Sequence, residues 1–316
     1  MVAADDSGPK ARTAVILAGG EGKRLREFTR TTLGIECPKQ FCPLLVGGRT
    51  LLETTISRIA PSFQPGRIAT VLSQSHECFY TRLLSGTPSD DIVVQPENLG
   101  TGAAIVYALL RVARLSAKAS VAVFPCDHYV RDERKFMSYV SLAFEAVTIR
   151  PELVVLLGIT PTGPDIGYGW IEPAARVEAE EAPLFRIGRF WEKPSIELAR
   201  RLYVSGSLWN SFVMVAQVSA LMELVMQTIP HVYDPFLKVA DTFGTEYERS
   251  VIERLYKNLA STDFSADVLA KAPEHLAVLR VEDVKWSDLG TGERVTAVLA
   301  DLRHGSTSYG PLGQVK

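Results

Sequence analysis

Thr13-Ala14-Val15-Ile16-Leu17-Ala18-Gly19-Gly20-Glu21-Gly22-Lys23-Arg24-Leu25 decides the fold: an apolar, partly β-branched run passes straight into three glycines and two cations. The run reads as a buried strand, and the glycines as a turn whose peptide N–H groups can approach a polyphosphate. The same letters also suit a tight turn that binds nothing. Two familiar phosphate motifs fail against them. A P-loop needs glycine five residues before Gly22 and Ser or Thr after Lys23, where this chain has Leu17 and Arg24. A dinucleotide fingerprint needs a third glycine three residues past Gly22, where Leu25 stands.

Outward from this turn, short apolar runs alternate with amphipathic stretches. The pattern predicts strands at 68–72, 92–95, 121–124 and 154–158. Helices are predicted at 51–59, at 103–115 behind the turn Gly100-Thr101-Gly102, and at 136–147. This alternation predicts an α/β fold, a Rossmann-like, mostly parallel sheet with helices on both faces. Past Gly158 the rhythm changes. Strands are expected at 170–172, 185–190, 208–215 and 276–281, and helices at 196–203, 221–229, across 235–259 and at 293–299. The second half reads as a substrate-facing elaboration of one domain, 13–302, with a nucleotide-binding half near 13–158 and a sugar-phosphate half near 159–302. Residues 1–12 and 303–316 read as polar, frayed tails. Leu-Gly-Thr-Gly occurs at 99–102 and again at 289–292, with nothing repeated around it, so the two read as similar helix entries.

Composition narrows the function. The 316 residues carry 34 Lys and Arg against 36 Asp and Glu, a net charge of -2 that argues against a nucleic-acid partner. No run approaches ~18 uninterrupted apolar residues, so no membrane span is expected. The start lacks the apolar core of a signal peptide. Cys37, Cys42, Cys78 and Cys126 form no C-x-x-C pair and read as reduced thiols, which points to a cytoplasmic protein. A homo-oligomer stays open.

Further motifs follow the glycine-rich turn in order: Pro38-Lys39-Gln40-Phe41, Pro125-Cys126-Asp127-His128-Tyr129, Gly167-Tyr168-Gly169-Trp170-Ile171-Glu172, Glu192-Lys193-Pro194, Trp209-Asn210-Ser211 and Trp286-Ser287-Asp288-Leu289-Gly290. The set resembles the sugar nucleotidyltransferases, and among them the mannose-1-phosphate guanylyltransferases, from about Thr13 to Leu302. That resemblance implies the nucleotidyltransferase fold. It also implies a reaction joining a nucleoside triphosphate to a sugar 1-phosphate with release of pyrophosphate, most simply GTP with mannose 1-phosphate. A uridylyl-, cytidylyl- or thymidylyltransferase, or a non-catalytic nucleotide-sugar sensor, stands as the alternative.

By the same resemblance, Gly19, Gly20, Gly22, Arg24, Lys39, Thr101 and Gly102 bind the nucleotide. Arg24 and Lys39 face the α-phosphate and the departing pyrophosphate. Lys193 grips the sugar phosphate, and Gly169, Glu172, Glu192 and Asn210 surround the sugar. Asp127 and Asp288 hold Mg²⁺, with Asp267 a weaker third. Two hard oxygen ligands completed by phosphates and water suit magnesium; either aspartate taken alone reads first as a helix cap or turn former. His128 reads as a neighbour of the metal site. Cys126 reads as buried filler, and the four tryptophans as packing that fixes the motif loops.

The chain departs from the family at three places. Residues 25–38 are longer and carry Glu27-Phe28, Pro96–Gly102 lacks Gly-Arg-Asn-Thr, and Phe212 replaces the glycine of Trp-Asn-Ser-Gly. No C-terminal β-helix is expected beyond Leu302.

Overall fold

A computed structural model describes residues 11–22, 25–34, 36–45, 47–116, 118–177 and 183–306. In chain order the elements are β1 (Arg12–Leu17), α1 (Arg26–Leu33), α2 (Leu51–Ile59), β2 (Ile68–Ser73), α3 (Glu77–Leu83), β3 (Ile92–Gln95), α4 (Gly100–Leu115), β4 (Ser120–Pro125), β5 (Tyr129–Val130) and α5 (Glu133–Ile149). They continue with β6 (Val154–Ile159), β7 (Trp170–Arg176), β8 (Leu184–Trp191), α6 (Ile196–Val204), β9 (Leu208–Gln217), α7 (Val218–Thr228) and α8 (Pro230–Val239). The chain then forms α9 (Glu248–Tyr256), β10 (Leu276–Val281), β11 (Trp286–Ser287) and α10 (Gly292–Ser306).

Among the described residues the main sheet has nine strands in the order β3-β2-β1-β4-β9-β6-β10-β8-β7. Only β9 and β8 run against the rest: β9 is antiparallel to β4 and β6, and β8 to β10 and β7. The sheet is therefore mostly parallel, as the strand–helix alternation predicts. At its far end it curls back on itself, because β7 pairs with β9 as well as with β8.

Side-chain alternation along β1 sorts the core into two layers. Ala14 and Ile16 join α2 and α5 on one face, while Val15 joins α4, α7 and α8 on the other. Helices thus cover both faces. The strand positions follow from β-branched content, and α2 begins with a capping box in which Thr50 and Glu53 satisfy each other's backbone N–H groups.

Besides α1, α3, β5 and β11, which the pattern did not predict, and α10, which runs to Ser306 into the stretch read as a frayed tail, two details differ from the sequence reading. First, α4 starts at Gly100 and not behind the Gly100-Thr101-Gly102 turn. Gly100 takes a left-handed φ of 86°, and the Gly102 N–H donates to the Thr262 carbonyl at 2.9 Å, so the glycines enter the helix close against another segment. Second, Cys37 and Cys42 are joined by a disulfide, while Cys78 is exposed and Cys126 buried. The expectation of four free thiols is corrected by the tight loop 38–41, which folds both sulfurs to one spot. The extended segment after Leu25 forms α1, and a Cβ on Gly292 would meet the Phe28 ring at 2.6 Å, so this insertion docks on the start of α10.

Candidate active site

Parallel pairing lines up the carboxyl ends of β1, β2 and β4. Leu17 sits opposite both Val71 and Pro125, and Ser73 opposite Gln95 of β3. The turns leaving these strands share one edge, where open α/β sheets gather ligands. The glycine-rich turn is pinned there by backbone contacts. Gln40 Nε2 donates to the carbonyls of Ala18 (3.0 Å) and Gly20 (2.7 Å), and a Cβ on Gly22 (φ 61°) would lie 3.0 Å from the Lys39 nitrogen. The loop of Lys39 and the turn of Gly19–Gly22 are therefore one packed unit. Arg24 lies outside the described residues.

The two candidate metal carboxylates come together through a short ribbon far apart in sequence. β5 and β11 pair antiparallel, Tyr129 opposite Ser287, which sets Asp127 just before one strand beside Asp288 just after the other. Lys39 Nζ lies 2.6 Å from Asp127 Oδ2 and 3.4 Å from the Asp288 carbonyl oxygen. Burial alone would push the Lys39 ammonium down, but Asp127 and Asp288 outweigh it and hold its pKa above the ordinary value. Burial would likewise raise Asp127, and Lys39 and His128 reverse that, so its carboxyl stays ionised below the usual range. Two hard oxygen donors beside a buried cation fit a divalent metal ion completed by phosphate oxygens and water. No cluster of three or more His, Cys, Asp or Glu side chains with metal-site geometry occurs among the described residues.

His128 is buried and pushed down to about 4, by desolvation first. Its Nδ1 accepts the Trp286 indole N–H at 3.2 Å, which fixes the proton on Nε2, 3.8 Å from Asp127 Oδ1. This is the neighbouring role the sequence suggests. Cys126 is buried filler, as expected, and burial drives its thiol up.

A cavity of about 400 Å³ opens between the glycine-rich turn, the entry to α4 and Asp127. Gly19, Gly20 and Thr101 line it, as the sequence reading requires, and so do Gln95, Phe212 and Asp263. The Thr101 hydroxyl accepts the Phe264 N–H at 2.9 Å, tying the segment after Leu259 to the cavity wall. Gln95 was not singled out from the sequence. Its Oε1 accepts the Tyr256 hydroxyl at 2.9 Å, and a Cβ on Gly19 would lie 2.7 Å from its Nε2. Only its position at the end of a strand, before Pro96, could have flagged it. Phe212 has a left-handed φ of 58°, a backbone state that suits glycine, and its ring faces Phe264 edge-on at 6.2 Å. It lines the cavity beside the glycine-rich turn, and its N–H donates to Asn210 Oδ1 at 3.0 Å, two residues back on β9. Asp267 is not gathered in: it is partly exposed and pairs with Lys271 at 3.0 Å.

The remaining candidates cluster on β7, β8 and β9. A Cβ on Gly169 would meet Glu192 Oε2 at 3.0 Å and Asn210 Cβ at 3.4 Å, and the Asn210 N–H donates to the Gly169 carbonyl at 2.8 Å. Glu172 accepts the Trp191 indole N–H. Lys193, at φ 43°, pairs with Glu192 at 2.8 Å and is 48% exposed, against 18% for Lys39, so it is the freer of the two cations to meet an incoming anion. Tryptophans brace this region as expected. Trp170 is fully buried with its N–H on the Asp165 carbonyl, and Tyr168 packs between Trp209 (4.7 Å) and Trp286 (5.0 Å). No helix among the described residues is long and apolar enough to cross a membrane.

Comparison with known proteins bears on the family. A family model described as Nucleotidyl transferase matches residues 13–304. The chain is 28% identical over 305 residues to the xanthan biosynthesis protein XanB of Xanthomonas campestris, covering 95% of this chain and 62% of that one. It is 27% identical over 304 residues to a mannose-1-phosphate guanylyltransferase of Salmonella montevideo, covering 94% and 62%. The chain therefore spans about three-fifths of the length of these curated relatives. A solved structure from Thermus thermophilus, described as a mannose-1-phosphate geranyltransferase, superposes with a TM-score of 0.75 at 28% identity, covering 88% of this chain and 76% of that one.

Proposed function

The chain belongs to the nucleotidyl transferase family, and on that footing we propose that it transfers a nucleoside monophosphate from a nucleoside triphosphate to a sugar 1-phosphate. The pair we favour is GTP with mannose 1-phosphate, on the strength of the guanylyltransferase relative. The observation that carries the reading is Lys39, held 2.6 Å from Asp127 and 3.4 Å from the Asp288 carbonyl at the edge where the glycine-rich turn ends β1.

In this reading a sugar-phosphate oxygen attacks the α-phosphorus. The bond from that phosphorus to the oxygen bridging the β-phosphorus breaks, and pyrophosphate leaves with the electron pair. The protein's task is alignment and charge neutralisation. Residues 13–158 bind the nucleotide: Gly19, Gly20 and Gly22 bring the backbone to the phosphates, Thr101 and Gly102 stand at the base end, and Arg24 and Lys39 take the charge of the α-phosphate and leaving group. Residues 159–302 bind the sugar phosphate. There Lys193 meets the phosphate, while Glu172, Glu192 and Asn210 take the hydroxyls around Gly169. Asp127 and Asp288 would hold Mg²⁺, which supplies neutralising charge on the phosphates when bound. We place the reaction in the cytoplasm, since charged substrates of this kind do not cross a membrane unaided.

The test is pyrophosphate release with Mg²⁺ across the common nucleoside triphosphates and several sugar 1-phosphates. The reading expects turnover only when both substrates are present. If nucleotide sugar binds and no pair turns over, the protein is a sensor, and the catalytic assignment is wrong.

A further inference from the structure

Arg294, on the first turn of α10, has no part in the mechanism above, yet its guanidinium joins two pieces of the site. Nη1 donates to Asp288 Oδ1 at 2.7 Å, and Nη2 donates to both oxygens of Asp165, each at 2.7 Å. The same group lies 3.9 Å from the centre of the Tyr168 ring. Asp165 in turn holds the sugar-side loop. Its Oδ1 accepts the Gly167 N–H at 2.7 Å, and its carbonyl accepts the Trp170 indole N–H at 2.8 Å. A Cβ on Gly167 would lie 2.6 Å from Arg294 Nη2, so the loop backbone rests directly on the guanidinium.

At the other end, the Gly290 N–H (2.9 Å) and Arg294 Nη1 converge on Oδ1 of Asp288. Both bonds fall on Oδ1 and neither on Oδ2. A flat fork of five donors can hold two carboxylates and an aromatic face at once; a lysine, a point charge on a flexible stem, cannot. The side chain is 18% exposed, so these contacts are largely shielded from water.

We propose that Arg294 is a positioning residue that links the carboxylate of Asp288 to the loop carrying Gly167, Tyr168 and Gly169, so that the metal site and the sugar side are set as one unit. This rests on the proposed function for its meaning, but its mechanical core is independent of turnover. Hydrogen–deuterium exchange of residues 165–170 in the metal-free, full-length chain reads that core.

Arg294→Ala is expected to speed exchange there about tenfold or more, because the loop loses its main anchor. Asp288→Asn is expected to speed the same amides about threefold when Arg294 is present, and not at all in Arg294→Ala, since contacts in one network do not act additively. In steady state, Arg294→Ala should raise the KM for sugar 1-phosphate about tenfold and leave that for the triphosphate within about twofold, the range seen when a supporting group around a site is removed. Arg294→Lys should recover only part of the loss. A merely structural role would lower Tm and move both KM values or neither. If Arg294→Ala does not fold, Asp165→Asn carries the same test, with the same rise in KM and the same faster exchange. Wild-type exchange at 165–170 in Arg294→Ala or Asp165→Asn, or an Asp288→Asn effect that persists without Arg294, overturns the proposal. Should no sugar 1-phosphate turn over, the exchange results still decide it, so this failure is separable from failure of the proposed function.

Discussion

The two sides of the cleft are held by different kinds of bond. On the β1–β4 side, strand register and close backbone packing do the holding. Gly22 rests against the Lys39 backbone, Gly100 and Gly102 rest against Thr262, and Gln40 clamps two carbonyls of the turn. On the β7–β9 side, side chains do it: Arg294 on Asp165 and Asp288, Glu192 on Lys193, Trp191 on Glu172. A backbone-built pocket is rigid and tolerates little at its glycines. A pocket built from side chains can be adjusted one contact at a time, which suits the end we propose for the sugar.

The sharpest way to break this comparison is at the seam, where both sides contribute a carboxylate. Asp127→Asn and Asp288→Asn keep shape and remove charge, and each is expected to lower kcat on the order of 10²-fold or more. Near-normal rates at saturating Mg²⁺ in either variant would remove that residue from the metal site and leave one side alone to carry it.

Glycines test the rigidity difference itself. At Gly100 a Cβ would collide with the Thr262 carbonyl, and φ is 86°. Gly100→Ala should cost roughly 2 kcal/mol or more of stability, from backbone strain and overlap together. At Gly169, whose φ is not left-handed, a Cβ would meet only side-chain atoms: the far end of Glu192 at 3.0 Å, which can swing aside, and the tip of the Phe190 ring at 3.2 Å, which needs to give by only a few tenths of an ångström. Gly169→Ala should therefore keep its Tm within about two degrees while raising the KM for the sugar substrate. Thermal melts of the two variants side by side check this; equal losses of Tm would erase the distinction.

A smaller effect sharpens the nucleotide side. Tyr256, on α9, is buried, and burial keeps its phenol protonated, so it can only donate to Gln95 Oε1. That turns the Gln95 amide N–H₂ toward the cavity. Tyr256→Phe removes the restraint, and a net loss of ~1 kcal/mol corresponds to about a fivefold rise in KM for the triphosphate, with the sugar 1-phosphate unaffected. An unchanged nucleotide KM would mean that the Tyr256–Gln95 bond does not shape the cavity for the triphosphate.

The same contrast explains what was legible in the sequence. The parallel half announces itself: apolar runs followed by glycines place β1, β3 and β4 to within a residue or so, and strand ends locate Gly19, Gly20 and Asp127 without any long-range knowledge. The disulfide between Cys37 and Cys42 was not legible, because the four-residue spacing carries no redox signal until the 38–41 loop is folded. Neither was Arg294. One arginine in an amphipathic helix looks like a solvated charge, and only the folded chain, which lays α10 beside the loop after β6, gives it partners 129 and 6 residues away. Asp263 and Gln95 reached the cavity in the same manner, through packing between segments that the sequence keeps apart.

The central claim is that triphosphate and sugar phosphate occupy separate poles of one cleft, with Lys193 serving the second only. Direct titration of Lys193→Ala with nucleoside triphosphate and, separately, with sugar 1-phosphate tests it most directly. The account predicts a loss of about tenfold or more in sugar 1-phosphate affinity, the scale of one charge-assisted contact, and triphosphate affinity within about twofold of the parent. Loss of triphosphate affinity with the sugar phosphate still held would contradict it and reverse the two poles.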